Sequence, residues 1–444
     1  MSKIAFYTLG CKVNQVETEQ WAESFSVLGD QIVDFAEEAD AYIINTCTVT
    51  HVADRKSRAV IRRVHRQHPE ALLVVTGCMA QVFPQQAHAL TGVNLIIGAS
   101  YKDRLVDLVK KHLPVYAPEL SDTLILRGEL TAQHKLPPVI YTHVHKKTRA
   151  FIKIQDGCQG FCSFCIVPFA RGPVRSKLPE DILQEACQLL QLGYREIVLT
   201  GIHTGNYGLD LPDWNLSKLL QFLEMQLEGT YRLRLSSLEP LEFNDDFLHA
   251  IKSLKNLCPH FHIPLQSGSN KILKAMNRRY SREYYQELII KITDIYDRPA
   301  LMTDVMVGFP GETKADFADT YDLLAELPFS DLHVFKYSPR LGTQAAHMPQ
   351  QVPEPVKNER SAALLQLAAA KHQKYQQLFL GETLRVLVER EYNSNYNIGL
   401  TDNYLEVVLV KEPIGTFTEL QITANYDKVL FGEKAPVRVL GSNR

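Results

Sequence analysis

The sequence lacks an excess of charge of either sign, any long apolar run and any internal repeat. Lysine and arginine number 48 against 50 aspartate and glutamate, which excludes a global attraction to nucleic acid or to a membrane surface. The longest apolar runs, such as residues 71–75, fall far below the ~18 residues of a membrane span, and the N-terminus shows no charged-then-apolar signal sequence. We therefore expect a cytoplasmic protein that makes no contact with a membrane.

The composition is otherwise ordinary, with 45% hydrophobic and 22% charged residues, which excludes collagen, long disorder and coiled coil. Against this background the chain has eight cysteines. In a reducing compartment we expect them to be ligands, nucleophiles or buried apolar residues instead of disulfides. Their spacing decides among these roles.

The 444-residue length predicts two to four domains, and the hydrophobic pattern divides the chain accordingly. Residues 1–112 alternate strand-like and helix-like segments, which predicts an N-terminal parallel α/β (Rossmann-like) domain. Residues 113–143 contain four prolines and lose periodicity, so we expect a linker there. Residues 144–375 predict six strand–helix units, a central partial (β/α)6 barrel with its active site at the strand C-terminal ends. Residues 376–444 change to period two, which is typical of a small all-β barrel.

Three strands of the predicted N-terminal sheet end in a cysteine, namely Cys11, Cys47 and Cys78. Ligands collect at the carboxyl edge of a parallel sheet, where neighbouring strand ends can bring these sulfurs to one point. Three separate buried thiols are the alternative interpretation. The placement favours a three-thiolate cluster site. Cys187 and Cys258 match no ligand pattern, and we assign both to packing.

Cys158, Cys162 and Cys165 form CxxxCxxC after the first strand of the predicted barrel. The intervening residues predict a turn and no periodic core face, which argues against three packed thiols. A structural zinc ion would require a fourth ligand nearby. Thiolates also hold iron–sulfur clusters, and three ligands on a four-iron cube leave one iron open.

CxxxCxxC with Phe164 before its last cysteine resembles the signature of radical S-adenosylmethionine enzymes. The resemblance implies that S-adenosylmethionine occupies the open iron, that an electron from the cluster cleaves it to a deoxyadenosyl radical, and that Phe164 contacts the adenine. Four later motifs fall in order at predicted strand ends, at residues 199–203, 234–240, 262–268 and 304–312. From these motifs the resemblance implies further cofactor contacts by Thr200, Gly201, Ser236, Glu239, Gln266, Val307 and Gly308.

The segments around the N-terminal cysteines closely resemble the first domain of methylthiotransferases, most of all the type that acts on threonylcarbamoyladenosine at position 37 of tRNA. They read Thr-Leu-Gly-Cys-Lys-Val-Asn at 8–14, Asn-Thr-Cys-Thr-Val-Thr-His at 45–51 and Thr-Gly-Cys-Met-Ala-Gln at 76–81. The C-terminal segment resembles a TRAM domain, so the resemblance covers essentially the whole chain. One departure is Val16, where the family usually has tyrosine.

This resemblance implies two 4Fe–4S clusters with S-adenosylmethionine as cofactor. The cluster on CxxxCxxC would cleave S-adenosylmethionine, and the one on the N-terminal cysteines would present sulfur. A second S-adenosylmethionine would give the methyl group, and carbon 2 of the base would receive the methylthio group. An external electron donor such as flavodoxin or ferredoxin is implied as a partner, and we expect a monomer.

A basic segment follows Cys47, with six lysines and arginines against Asp54 within residues 54–66. Four of its arginines fall on one helical face, Arg55, Arg58, Arg62 and Arg66. A solvated helix surface is one interpretation, and contact with the phosphates of a tRNA anticodon stem-loop is the other. Residues 376–444 hold seven basic against nine acidic residues, so RNA binding by that region rests on the resemblance alone.

Two other functions stay open. A related enzyme could act on isopentenyladenosine in tRNA or on an aspartate of a ribosomal protein, and the acidic C-terminal region keeps the protein target in consideration. A non-catalytic iron–sulfur protein that binds RNA or senses redox state is the alternative from a different class. For such a protein the four strand-end motifs would be superfluous.

Overall fold

The computed structural model describes residues 1–113, 122–132, 135–141, 148–426 and 429–434. The N-terminal strands are β1 (Lys3–Thr8), β2 (Gln31–Val33), β3 (Ala41–Thr46), β4 (Leu72–Gly77), β5 (Leu95–Ile97) and β6 (Leu124–Leu126). The helices around them are α1 (Lys12–Val27), α2 (His51–Gln67), α3 (Cys78–Val82), α4 (Pro84–His88) and α5 (Leu105–His112). The strands form one parallel sheet in the order β2-β1-β3-β4-β5-β6.

The central strands of this sheet, β3 and β4, are buried along their whole length. Helices cover both faces of such a sheet, so both sets of alternating side chains can be apolar. The strand β6 lies within the segment predicted to be a linker, and it extends the sheet by pairing with β5. The parallel α/β architecture expected for this part of the chain is confirmed.

The central strands are β7 (Arg149–Lys153), β8 (Gln155–Asp156), β9 (Arg175–Ser176), β10 (Glu196–Thr200), β11 (Arg232–Leu235), β12 (His260–His262), β13 (Ala300–Val307) and β14 (Asp331–Lys336). Their helices are α6 (Val167–Arg171), α7 (Pro179–Gln191), α8 (Leu216–Gln226), α9 (Asp245–Lys252), α10 (Asn270–Ala275), α11 (Arg282–Ile295), α12 (Lys314–Glu326) and α13 (Glu354–Gln377). Two parallel three-stranded sheets, β11-β10-β7 and β12-β13-β14, are joined by a bridge between Leu233 and Leu257. This arrangement confirms the partial (β/α)6 barrel.

Alternation along the barrel strands separates the core from the lumen. Leu199, Leu233, Ile263 and Val305 belong to the large apolar core between the strands and the outer helices. The residues between them face the opposite side, because successive side chains of a strand point to opposite faces. That side is the lumen of the barrel, where polar side chains such as Arg234, His262 and Asp304 lie beside apolar ones such as Phe151 and Met302.

The C-terminal strands are β15 (Thr383–Glu391), β16 (Tyr396–Thr401), β17 (Glu406–Val410), β18 (Phe417–Tyr426) and β19 (Val429–Lys434). They form a closed barrel in the order β15-β16-β17-β19-β18, as expected. The predicted strand around Val437 and Val439 lies outside the described residues. This barrel packs on the N-terminal ends of the central strands, where Tyr404 stacks on His260 at 4.4 Å between ring centres. Among the described helices, none is long and apolar enough to cross a membrane.

Candidate cluster and cofactor site

The three N-terminal cysteines lie at neighbouring strand ends, as the sequence predicts. Cys11 precedes α1, Cys47 follows β3, and Cys78 begins α3 directly after β4. A side-chain carbon on Gly10 would lie 2.7 Å from Cβ and 2.9 Å from Sγ of Cys47. Because Gly10 has no side chain and a φ of +100°, the loop carrying Cys11 can pack directly against Cys47.

Burial of these thiols adds a cost that metal binding must overcome. Burial, together with the neighbouring Cys78, raises the pKa of Cys47 to about 12, and burial likewise raises the pKa of Cys78. Metal ligation requires thiolates, so binding must offset this cost by placing positive charge among the sulfurs.

The spacing of the ligand atoms argues against a single zinc ion. A Zn–S bond of ~2.3 Å in a tetrahedral site places sulfurs about 3.8 Å apart. Among the described histidine, cysteine and acidic residues, the trio whose ligand atoms all lie within 4.8 Å of one another is His262, Asp304 and His333. In neither cysteine set do all three sulfurs lie within 4.8 Å of one another, so neither set is arranged around a single zinc ion.

The CxxxCxxC loop follows β8, at the carboxyl edge of the central barrel. The N–H of Gly160 donates to Sγ of Cys158 at 3.4 Å, and a side-chain carbon on Gly160 would lie 3.4 Å from that sulfur and 3.8 Å from Sγ of Cys162. The loop thus wraps around Gly160 with two sulfurs beside it. Burial raises the pKa of Cys162, and it raises the pKa of Cys165 to about 12. These donors fit an iron–sulfur cluster on the same grounds as the N-terminal set.

One contact of this loop was not predicted from the sequence. Nδ1 of His203 lies 3.5 Å from Sγ of Cys158. Burial acts to lower the pKa of His203, but its contacts with Cys158 and Glu242 raise that pKa to about 10. His203 ends one of the strand-end motifs, yet nothing in its spacing points to Cys158.

The residues expected to contact S-adenosylmethionine lie around the same edge. Thr200, Gly201, Ser236, Gln266, Val307 and Gly308 stand at or just after the ends of β10, β11, β12 and β13. Ser236 shares a hydrogen bond of 2.7 Å with Thr204. Glu239 is paired with Arg278, whose guanidinium carbon lies 5.8 Å from the centre of the Phe164 ring. Arg278 is a second residue that the motifs did not indicate. Cofactor binding by this set stays a prediction.

A buried charge network joins the N-terminal sheet to the central barrel between the two cysteine sets. Glu17 of α1 accepts from Lys153 of β7 at 2.8 Å and pairs with Arg171 of α6. Asp156 lies 2.6 Å from Lys153 and 3.3 Å from Arg171. Burial acts to raise the pKa of Glu17, but the cations around it, led by Arg171, hold that pKa well below its ordinary value. The network fixes the two domains against each other.

The barrel lumen contains a second polar cluster, formed by His262, Asp304 and His333. One carboxylate oxygen of Asp304 lies 2.8 Å from Nε2 of His262 and 3.3 Å from Nδ1 of His333. Nζ of Lys12, the residue after Cys11, lies 5.6 Å from the centre of the Phe151 ring of β7. The alternation places Phe335 on the same face of β14 as His333, and it is 46% exposed. The lumen therefore offers charge, hydrogen-bonding groups and an aromatic ring.

The predicted basic face lies on α2, which begins where the hydroxyl of Thr50 accepts from the Ala53 N–H at 3.2 Å. Arg55, Arg62 and Arg66 are exposed. Arg58 is only partly exposed, and it binds Asp54 at 2.9 Å and Gln86 at 2.7 Å. A surface hollow of about 420 Å³ lies beside Arg55, Arg58 and Arg62. The four arginines share a face, but Arg58 already has an anionic partner.

Comparison with known families agrees with this three-part architecture. Residues 3–98 match the uncharacterized protein family UPF0004, residues 152–324 match the radical SAM superfamily, and residues 377–435 match the TRAM domain.

Among solved structures, this chain is similar to the radical S-adenosylmethionine methyltransferase TsrM from Kitasatospora setae, with cobalamin and a [4Fe-4S] cluster bound. The TM-score is 0.57 at 14% sequence identity. That similarity covers 78% of this chain and 77% of TsrM, and it shows the fold alone.

Curated relatives narrow the class further. Threonylcarbamoyladenosine tRNA methylthiotransferase MtaB of Bacillus subtilis is 41% identical over 95% of this chain and 94% of its own length. The MtaB of Aquifex aeolicus is 39% identical over 91% and 96%. A tRNA-2-methylthio-N(6)-dimethylallyladenosine synthase of Pelotomaculum thermopropionicum is 36% identical over 88% and 87%.

The fold and the two cysteine sets thus define a radical S-adenosylmethionine enzyme. The chain belongs to the methylthiotransferase family that includes MtaB. Its cofactors are S-adenosylmethionine and 4Fe–4S clusters, and the donor sets described above fit such clusters.

Proposed function

We propose that this enzyme adds a methylthio group to carbon 2 of N6-threonylcarbamoyladenosine at position 37 of tRNA. The relatives named for this nucleoside include those at 41% and 39% identity. The choice of substrate rests on the polar side chains in the lumen of the central barrel. A threonylcarbamoyl group carries a carboxylate and N–H donors, which match Lys12, His333 and Asp304. An isopentenyl group is apolar and offers no hydrogen-bonding group to Lys12, His333 or Asp304, so it could not compensate for the water that these side chains lose when it binds.

Six cysteines are the proposed cluster ligands. Cys158, Cys162 and Cys165 would hold the cluster that binds S-adenosylmethionine, and Cys11, Cys47 and Cys78 would hold the auxiliary cluster. When bound, the first cluster would supply the electron that cleaves S-adenosylmethionine to a radical. Reaction at an aromatic carbon needs such a radical, because acid–base side chains cannot provide this chemistry. Phe164 and the residues at the ends of β10, β11, β12 and β13 would orient the cofactor.

The chain's own side chains position the base and exclude water. The exposed ring of Phe335 offers a stacking surface for an unpaired nucleobase, and Asp304, held by two imidazoles, can accept a hydrogen bond from a substrate N–H. The C-terminal barrel covers the opposite end of the lumen, so base 37 would enter from the side of the two cysteine sets. The exposed arginines of α2 lie beyond Cys47, where they can contact the phosphates of the anticodon stem-loop.

The enzyme would act as a cytoplasmic monomer that receives electrons from an external donor such as flavodoxin or ferredoxin. Its parts would be residues 1–112, 113–143, 144–375 and 376–444, with β6 of the connecting segment added to the first sheet.

Nucleoside mass spectrometry tests the substrate. Transfer RNA from cells lacking this protein should lose the methylthio form of threonylcarbamoyladenosine and keep the unmethylthiolated nucleoside. Return of the wild-type gene should restore the product, and the Cys158→Ala variant should not. Loss of the methylthio form of isopentenyladenosine, or of a modified aspartate in a ribosomal protein, would instead favour one of the alternative substrates.

Iron analysis tests the ligands. Anaerobically reconstituted protein should bind about eight irons, because each cysteine set holds one four-iron cluster. Changing Cys158, Cys162 and Cys165 together to alanine should halve the iron and abolish cleavage of S-adenosylmethionine. Replacement of Cys11, Cys47 and Cys78 without loss of iron would disprove the auxiliary cluster.

A further inference from the structure

Arg340 differs from the other buried arginines of the described chain because it has no ion pair. The other five are Arg171, Arg175, Arg232, Arg234 and Arg360. All five have a carboxylate oxygen within 3.3 Å. Arg340 is 5% exposed, and no carboxylate of the described residues lies within ion-pair distance of it. A buried cation without a counter-charge is costly, so an anion is expected beside it.

The contacts of Arg340 leave part of its guanidinium unused. Nε donates to the carbonyl of Val49, two residues after Cys47, at 3.1 Å. Nη2 is buried and has no hydrogen-bond partner among the described residues. Burial lowers the pKa of Arg340, whereas the pKa of Arg171 is raised despite its burial, because Glu17 and Asp156 stabilise its charge. The nearby Asp54 is already bound by Arg58 at 2.9 Å.

Arg340 stands on a loop that contacts both cysteine sets, which we name the bridging loop (residues 338–345). At its start, Oγ of Ser338 accepts from the N–H of His51 at 3.3 Å. At its end, the N–H of Ala345 donates to the carbonyl of Ser163, inside CxxxCxxC, at 2.8 Å. The loop belongs to the central barrel, so Arg340 contacts the segment that follows Cys47 from the other domain.

The auxiliary cluster is the anion that fits this position. Three thiolates outweigh the charge of a four-iron, four-sulfide core, so the whole assembly is negative in both its oxidised and reduced states. Arg340 lies close enough to Cys47 for a thiolate there to raise the pKa of Arg340, after the larger effect of Asp54. An RNA phosphate fits less well, because Nη2 is closed to solvent.

We propose that Arg340 is the charge-compensating residue of the cluster held by Cys11, Cys47 and Cys78. It stabilises the cluster's negative charge from across the domain interface, and so it sets the reduction potential of the cluster that presents sulfur. This inference rests on the cysteine ligands given under the proposed function.

The test measures the potential of the auxiliary cluster alone. The parent protein is the full chain with Cys158, Cys162 and Cys165 changed to alanine, reconstituted anaerobically and titrated with dithionite under electron paramagnetic resonance. In this parent, Arg340→Gln should shift the midpoint potential to a more negative value at unchanged iron content, because the reduced cluster loses a stabilising charge. Arg340→Lys should keep most of the original potential.

Arg63→Gln is the matched control. It removes the same charge from an exposed position on α2, where water screens the charge, and it should leave the potential unchanged.

The outcomes separate this inference from the assignment of ligands. Loss of iron in Arg340→Gln but not in Arg340→Lys would also support a requirement for charge. An unchanged potential in Arg340→Gln at full iron would overturn the inference while leaving the ligands in place. Equal loss of iron in both variants would overturn it too, because it would show a purely structural role. A parent that binds no cluster would overturn the auxiliary ligand set and this inference together.

Discussion

At the scale of single residues, the two cysteine sets differ in their surroundings more than in their chemistry. Cys47 and Cys78 are buried at a sheet edge, whereas Cys158, Cys162 and Cys165 are half-buried in a loop. The sets belong to separate domains, and Arg171 with its buried partners stands between them. Because no cysteine serves both sets, each cluster should be removable without the other.

Cys47→Ala should stop sulfur delivery while cleavage of S-adenosylmethionine to deoxyadenosine continues. The variant loses one of three auxiliary ligands and keeps CxxxCxxC. Deoxyadenosine and the methylthio nucleoside should be measured in one anaerobic assay, after circular dichroism has shown that the variant is folded. Cys187→Ala, which removes a thiol outside both sets, is the control and should retain both products. Full product formation by Cys47→Ala would contradict the two-cluster arrangement.

At the scale of elements, α2 carries the basic face that we propose contacts RNA, and its arginines differ in how free their charges are. Asp54 and Gln86 hold Arg58, so its charge is already partly compensated. Arg55 and Arg62 lie in the exposed part of the same face.

Arg55→Glu with Arg62→Glu should weaken tRNA binding and flatten its dependence on salt. Each lost phosphate contact lowers the slope of log affinity against log salt by an amount on the order of 0.7 to 0.9, the values for single strands and for B-form DNA. Binding titrations from low to moderate salt measure this slope, and cleavage of S-adenosylmethionine without RNA should persist. Lys252→Glu with Lys255→Glu, at two exposed positions at and just after the end of α9, reverses the same number of charges and serves as the control. An unaltered slope in the double variant would make the basic face of α2 ordinary solvated surface.

The elements that the sequence predicts well are those with a strong local pattern. The buried strands β3 and β4 and the cysteine that follows each can be read from apolar runs and turn residues. The edge strands β2 and β6 were not predicted, although the equally short β5 was, because a strand at the sheet edge depends for its pairing on a sheet that is already formed. The contacts of His203 and Arg340 are invisible for a related reason. His203 contacts Cys158 and Arg340 contacts Val49, each across a long separation in sequence, and only the fold brings these residues together.

At the scale of the whole molecule, buried arginines join the central barrel to the C-terminal barrel. Arg232 binds the carbonyl of Leu400 at 3.0 Å and Asp402 at 2.8 Å. Arg234 binds the carbonyl of Asp402 at 3.0 Å. Glu196 of β10 is fully buried and pairs with both arginines. The carboxylate therefore holds the two guanidinium groups in the orientation that attaches the C-terminal barrel.

Glu196→Gln should destabilise the protein at neutral pH by about 3 kcal/mol or more, because it leaves two buried cations without their carboxylate. Burial acts to raise the pKa of Glu196, but Arg234 and Arg232 lower it from 4.5 to about 2. A shift of this size corresponds to roughly 3 kcal/mol of stability. Since the folded-state pKa is the lower one, this stability is complete above pH 4.5 and is lost as the pH falls towards 2.

Urea unfolding should therefore show a large difference between wild type and Glu196→Gln at pH 7 that narrows below pH 4.5. Limited proteolysis should also release the C-terminal barrel sooner from the variant. Glu391→Gln, an exposed carboxylate of the same barrel paired with Lys411 at 2.7 Å, should behave as wild type. Equal stability of wild type and Glu196→Gln at pH 7 would show that the C-terminal barrel is held by its apolar contacts and not by this charge network.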